Sequence, residues 1–374
     1  MSKKVIVAGH ICVDITPAIR GKKVDRIEEL LVPGNLIDVG EATVSTGGAV
    51  ANTGIAMKKL GADVSLLGKV GKDSFGDIIR NVLKEYDVHR DLMESGEHST
   101  SYTVVLAVPG IDRIFLHNPG VNHAFYADDI PQEILDQAVL FHFGYPSLMR
   151  SMFENDGDEL VKLMKRAREA GLVTSLDFAS FDEASEAGQA DWRKILTKAL
   201  PYVDMFLPSI EELCFMLDRE RYHAWQERAA GRDMTEVLDM EKHVRPLAAM
   251  CREMGAKFVL LKCGIQGMYF TAAPKEEIRE MAGRLGIDAE LWGGREIYEK
   301  SYVPDQVLSA TGAGDTAIGA FLTAVLEGYD PEMTMHLASG TGACCIAAYD
   351  SFSGLKSFGE LESRIRGGWE KLDL

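Results

Sequence analysis

Short β-rich runs alternate with helical patterns along most of this chain. "KKVIVAG" reads as a strand, and "GGAVANTGIAMKKLG" as a helix that Gly61 stops. "ADVSLLGKVG" reads as a strand. "DSFGDIIRNVLKEY" reads as a helix capped by Asp73, with Phe75, Ile78, Ile79 and Val82 on one face. The rhythm continues through "AVLFHFG" (strand), "DELVKLMKRAREAG" (helix) and the strands "LVTSLDF", "VDMFLP" and "KFVLLKCG". Strands that alternate with helices form βαβ units, and the crossover helices cover the sheet. The predicted fold is α/β: a doubly wound, mostly parallel sheet with helices on both faces.

Two stretches break the rhythm. Residues 15–46 carry no helical period, and "HSTSYTVVLAVPGIDRIFLHN" at 98–118 reads as a hairpin turning across "PGIDR". Together they predict a small separate β-sheet, a lid from 15–46 and 98–124, on a main domain from 1–14, 47–97 and 125–374. The charged helical segment 218–254 and the segment 274–300 read as insertions. A bare lid sheet, apolar on one face ("YTVVLAV", "IFL"), is expected to pack against a second copy and give a homodimer.

Bulk properties exclude several classes of partner. The 374 residues carry a formal net charge of −17, which argues against nucleic acid and anionic membranes. Six cysteines lie scattered with no CxxC pair, as expected of a cytoplasmic chain with buried thiols. The apolar run after Met1 is broken by Gly9 and His10 and ends at Asp14, so it reads as a strand and not a signal peptide. No apolar stretch reaches the roughly 20 residues of a membrane span. His117, His123 and His142 fit no tight metal motif and read as lid or core residues.

The segment with most chemistry is "SATGAGDTAIGAFL", residues 309–322. A helix is predicted to start near Ala313, with Ile318, Phe321, Leu322 and Val325 as its buried stripe and Gly328 as its stop. Small residues at a helix N-terminus let an anion reach unpaired N–H groups. Asp315 would repel that anion, unless its role is to take a proton from a nucleophile attacking a cradled phosphoryl group. Standing alone, the segment is better explained as an ordinary glycine turn with an acid in the first helical turn. A dinucleotide fingerprint fails in context: Pro304 interrupts the preceding run, and no strand-end acid follows. "GKVGKDS" lacks the spacing of a P-loop.

"GGAVANTGIAMKKLGA" at 47–62, "GKVGKDSFG" at 68–76, "LPSIEEL", "LKCGIQG" and "SATGAGDTAIGAFL" occur in that order. In this combination the chain resembles the ribokinase/PfkB family of sugar and nucleoside kinases, from about Val5 to about Gly354. The resemblance implies a ribokinase-like fold and transfer of the ATP γ-phosphoryl group to a hydroxyl of a sugar-like molecule. It implies Asp315 as general base, with the N–H groups of Gly312, Ala313, Gly314 and Asp315 as anion hole. It implies Asp14, Gly47, Gly48 and Asn52 as substrate-binding residues, and Gly264, Gly267, Thr311, Thr341 and Gly342 near the nucleotide. Glu212 would hold Mg²⁺ through water, although Ser209 stands where the family usually has Asn. Ser209 and Glu212 also spell a helix capping box. Ser309 replaces the family's Asp of a monovalent-cation site, which puts potassium activation in doubt. Arg20, Lys22, Lys23 and Arg113 lie in the lid segments, where they could catch a substrate phosphate or form a solvated face. Two further readings stand beside a sugar kinase: a nucleoside kinase on the same scaffold, and a catalytically silent nucleotide-binding regulator.

Overall fold

The first strand sets the layers. Val5 and Val7 point into one apolar core and Ile6 and Ala8 into another, so β1 (Lys4–Gly9) is buried on both faces. The computed structural model describes residues 3–19, 21, 23–111 and 113–373. Arg20 and Lys22 lie outside the described residues. The strands that follow are β2 (Cys12–Pro17), β3 (Ala42–Gly47), β4 (Asp63–Leu67), β5 (Lys69–Gly71), β6 (Met93–Ser95) and β7 (Tyr102–Leu106). Then come β8 (Ile114–Asn118), β9 (Leu140–Gly144), β10 (Val173–Asp177), β11 (Met205–Phe206), β12 (Phe258–Lys262), β13 (Met268–Ala272) and β14 (Glu296–Glu299).

Eight strands form the main sheet in the order β14-β13-β12-β11-β10-β9-β1-β4. All pairs from β4 to β12 are parallel, and only the pairs that involve β13 are antiparallel. This is the mostly parallel α/β sheet that the sequence predicts, with a core on each face. β1 lies between β4 and β9, so the chain reverses its direction of travel across the sheet there. In open α/β sheets, ligands bind beyond the strand ends at such a reversal.

Four strands form the second sheet, in the order β3-β2-β7-β8. The predicted hairpin is β7 and β8, antiparallel across residues 107–113. Asp14 lies inside β2, opposite Ser45 on β3 and Thr103 on β7, and Thr103 lies opposite His117 on β8. These four share one face of the pleat. Ile15, Val44, Val104 and Leu116 form the next row, on the other face.

Three local expectations change. "ADVSLLGKVG" makes two strands: β4 ends at Leu67, and β5 pairs with β6 in a two-stranded sheet. The break falls at Gly68, where a β-carbon would meet Ile11 Cγ2 at 2.6 Å. The segment 274–300 is no separate insertion, since it supplies β14 at the sheet edge. The helix Ala313–Glu327 is buried from Asp315 to Leu326 on all sides and not along one stripe, because it is packed between the helices Ala49–Lys59 and Pro331–Cys345. Among the described residues no helix is long and apolar enough to cross a membrane. All six cysteines are free and buried.

Candidate active site

Beyond the C-terminal ends of β1 and β9 lies a cleft of about 1050 Å³, closed on one side by the small sheet. β1 and β9 come together there closely. His10 N–H donates to Gly144 O at 3.1 Å, and a β-carbon on Gly9 would lie 2.2 Å from the same oxygen. Asp14, Gly48, Asn52, Thr311, Gly312 and Asp315 all line the cleft. Residues far apart in the sequence therefore share one space.

The acceptor-side candidates assemble around two carboxylates. Gly47 lies against Asp14, whose Oδ2 sits 2.1 Å from where a β-carbon would be. Burial pushes the Asp14 carboxyl up, and hydrogen bonds with Cys12 and Thr103 oppose this. Gly48 packs on His10 with φ 87°, and precedes the first turn of the helix Ala49–Lys59. That helix carries Asn52, whose Nδ2 donates to Asp315 Oδ2 at 2.8 Å. Asp315 is only 4 % exposed. Burial raises its pKa, while hydrogen bonds from Tyr145 and Asn52 and the charge of Lys262 pull it back.

The anion-hole candidates form the entry to the helix Ala313–Glu327, with Gly312 as its N-cap at φ 77°. Ser351 Oγ fills the place of a Gly312 β-carbon at 2.1 Å. The glycine is thus required by backbone conformation and packing as well as by any approach of an anion. Thr311 is exposed and Gly312, Ala313 and Gly314 are half-buried, so the first N–H groups of this helix border the cleft. Arg113, at the start of the β7–β8 hairpin's second arm, hydrogen-bonds the Thr311 hydroxyl and ties the small sheet to this loop.

A charged cluster lies behind the turn at Gly312. Lys262, at the end of β12, pairs with Asp177 Oδ1 at 2.6 Å. Its stem lies 3.4 Å from the place of a Gly314 β-carbon. Burial pushes the Asp177 carboxyl up, Lys262 pulls it down, and Asp177 Oδ2 is buried with no partner among the described residues. Glu212 and Ser209 form both halves of the expected capping box, at 2.8 and 3.2 Å. Burial raises the Glu212 carboxyl too, against Lys262. Among the described residues no group of three or more His, Cys, Asp or Glu side chains is placed to grip a metal directly. The orphaned Asp177 oxygen beside the half-buried Glu212 fits a hydrated cation held at second hand.

The nucleotide-side candidates divide. Gly342 lies 3.6 Å, by its absent β-carbon, from Ala313 O, and so abuts the first turn of the helix Ala313–Glu327. Its neighbour Thr341 is fully buried and donates to Leu337 O within its own helix. Gly264 and Gly267 bracket the tight turn between β12 and β13. Gly267 admits Glu299 O to 2.0 Å of its absent β-carbon, a packing role.

Sequence reasoning missed Tyr145, His10, Lys262 and Asp177. Tyr145 follows β9 with φ 66°, and its hydroxyl donates to Asp315 Oδ1 and Oδ2, 2.7 Å from each. His10 is 1 % exposed, and neither ring nitrogen has a partner among the described residues. The available signal was position: each follows or ends a buried parallel strand, where α/β sheets carry their chemistry. His117 sits on the small sheet and hydrogen-bonds Thr103 at 3.0 Å, while His142 is a core residue bonded to Ser175 at 2.9 Å.

Residues 3–356 match the model of the pfkB family carbohydrate kinase. A sugar kinase of Archaeoglobus fulgidus, itself uncharacterized, is 26% identical over 304 residues, covering 80% of this chain and 98% of the relative. Fructokinase-1 of Zea mays is 25% identical over 326 residues, covering 86% of this chain and 83% of the relative. Among solved structures, an E. coli protein assigned as a ribokinase II, in complex with ATP and Mg²⁺, superposes with a TM-score of 0.69 at 23% identity. That match covers 98% of this chain and 100% of the other.

Proposed function

This chain belongs to the pfkB family of carbohydrate kinases, phosphotransferases with an alcohol acceptor, and we propose that it phosphorylates a hydroxyl of a sugar or sugar-like molecule at the expense of ATP. The observation that carries this reading is the position of Asp315. It is a buried carboxylate in the first turn of a helix, open to the cleft.

Asp315 accepts the proton of the acceptor hydroxyl as that oxygen attacks. The N–H groups of residues 312–315, at the positive end of the helix, stabilise negative charge on the transferring group. Small size at Gly312, Ala313 and Gly314 keeps that backbone accessible. Asp14 and Asn52 orient the acceptor's hydroxyls, and Gly47 and Gly48 allow close approach. ATP with Mg²⁺ supplies the phosphoryl group and neutralises part of its charge. Glu212 would hold a water of the metal, and Thr311 and Gly342 border the nucleotide; Gly264 and Gly267 shape the turn after β12, and Thr341 packs inside its helix. The small sheet acts as a lid that excludes water when it closes.

ADP release measured across a panel of sugars, nucleosides and phosphosugars tests this. Turnover with a sugar is the expected result. Turnover with nucleosides alone would reassign the acceptor, and silence across the panel would favour a nucleotide-binding regulator.

A further inference from the structure

Tyr145 is held in an unfavourable conformation by its surroundings. Its φ of 66° and ψ of 43° lie in the left-handed region, which a bulky side chain seldom adopts. The peptide is fixed on both sides: Tyr145 N–H donates to Asp177 O at 3.1 Å, and Leu148 N–H donates to Tyr145 O at 3.0 Å. Backbone strain of this kind persists where the fold over-determines it, often at functional sites. Here it delivers one phenol oxygen to 2.7 Å from both oxygens of Asp315.

We infer that Tyr145 is a positioning residue for phosphoryl transfer, fixing the plane of the Asp315 carboxylate and reserving Oδ1 to receive the acceptor's proton. The inference rests on the phosphotransfer reading above. A carboxylate offers about four lone-pair sites. Asn52 takes one on Oδ2, and the phenol, which has one proton, is shared along the edge between the two oxygens. Oδ1 therefore keeps the greater free capacity. The phenol also favours the ionised base, because it donates to a charge in a site where burial disfavours that charge. The titratable groups facing Asp315 from the elements packed around it are Tyr145 itself, Asp14 on β2, Asp177 on β10, Glu212, Lys262 on β12 and Cys345. Of these, Tyr145 alone has a hydrogen bond to the Asp315 carboxylate among the described residues.

The test is Tyr145→Phe in the full-length enzyme, assayed with whichever acceptor the panel identifies. Loss of a hydrogen bond to a charged group should lower kcat roughly ten- to a hundredfold with little change in KM. The acidic limb of the kcat–pH profile should move to higher pH, since the ionised base has lost a donor. 3-Fluorotyrosine placed at position 145 keeps the shape with a more acidic phenol, and should move that limb the other way. This keeps the test open should the Phe variant fold poorly. An unshifted limb in both variants would overturn the inference. So would a lower KM with undiminished kcat in the Phe variant, which would make the phenol an occupant that the acceptor displaces. Asp315→Asn in the same assay separates the two levels: if it stays active, Asp315 is not the base and the inference falls with that role, whereas the phosphotransfer reading fails only if the parent enzyme turns over no acceptor in the panel.

Discussion

Gly47 and Asp14 share a space that only one of them can fill. A β-carbon on Gly47 would stand 2.1 Å from Asp14 Oδ2 and 2.6 Å from its Cγ. The two residues meet because β2 and β3 pair antiparallel, with Cys12 opposite Gly47. Gly47→Ala should therefore push the Asp14 carboxylate out of the cleft. Misplacement of an orienting group by about an ångström costs on the order of a hundredfold. The expected result is a rise in acceptor KM of about that size, with ATP affinity unchanged in a binding titration. Equal weakening of both would show that the glycine shapes the whole cleft.

Asp315→Asn keeps the shape of the side chain and removes the base. Turnover should fall by a factor of about a hundred to ten thousand. ATP binding should survive, because the proposed cradle is backbone. Single-turnover transfer and ATP affinity are to be measured on the same folded protein. Collapse of ATP affinity along with the rate would mean that the carboxylate organises the cradle.

The same substitution should act on stability in the opposite direction. Burial holds the Asp315 carboxyl above its ordinary range. A carboxyl raised in the folded state favours folding below its unfolded pKa, near ~4, and loses that contribution as pH rises through the folded value. Asp315→Asn should thus be more stable than the parent at pH 7.5, and the gap should narrow towards pH 4. Urea melts at both pH values decide this. A less stable variant at pH 7.5 would mean that the bonds from Asn52 and Tyr145 outweigh the cost of burial.

Lys262→Met should be severe. Asp177 is fully buried, and its ion pair with Lys262 spans 2.6 Å. Removing one partner of a buried pair typically costs about 3–5 kcal/mol. The double variant Lys262→Met, Asp177→Asn should recover much of that loss in chemical denaturation. Absence of recovery would place the role of Lys262 elsewhere.

The small sheet carries a prediction about assembly. Val44, Ile15, Val104 and Leu116 align across its four strands, and Val44 and Leu116 are 47% and 55% exposed. An apolar row on a narrow sheet is expected to find a partner. Sedimentation at micromolar concentration should give twice the chain mass, and Leu116→Asp should halve it with no change in melting temperature. A monomer under all conditions would end the idea of a lid dimer.

Much of this could be read from the sequence because burial leaves a local record. Parallel strands buried on both faces read as continuous apolar runs, and Asp73 caps its helix as predicted by accepting from Gly76 N–H. The hairpin over 98–118 and the turn into the helix at Ala313 were equally local. Order and spacing of the glycine motifs carried the family. The meeting of strand ends leaves no such record. Asn52 and Tyr145 reach Asp315 across 263 and 170 residues, and Lys262 reaches Asp177 across 85. Tyr145, Lys262 and Asp177 each lie beside apolar or small residues that give no sign of a polar partner. Their meeting depends on the strand order: β9 beside β1 brings Tyr145 to the cleft, and β10 and β12 on either side of β11 bring Asp177 and Lys262 together. The chain's own pattern determined which segments are strands and helices. The tertiary structure decided which carboxylate faces which donor, because a hydrogen bond requires positions fixed to a few tenths of an ångström, and only the packed sheet fixes them.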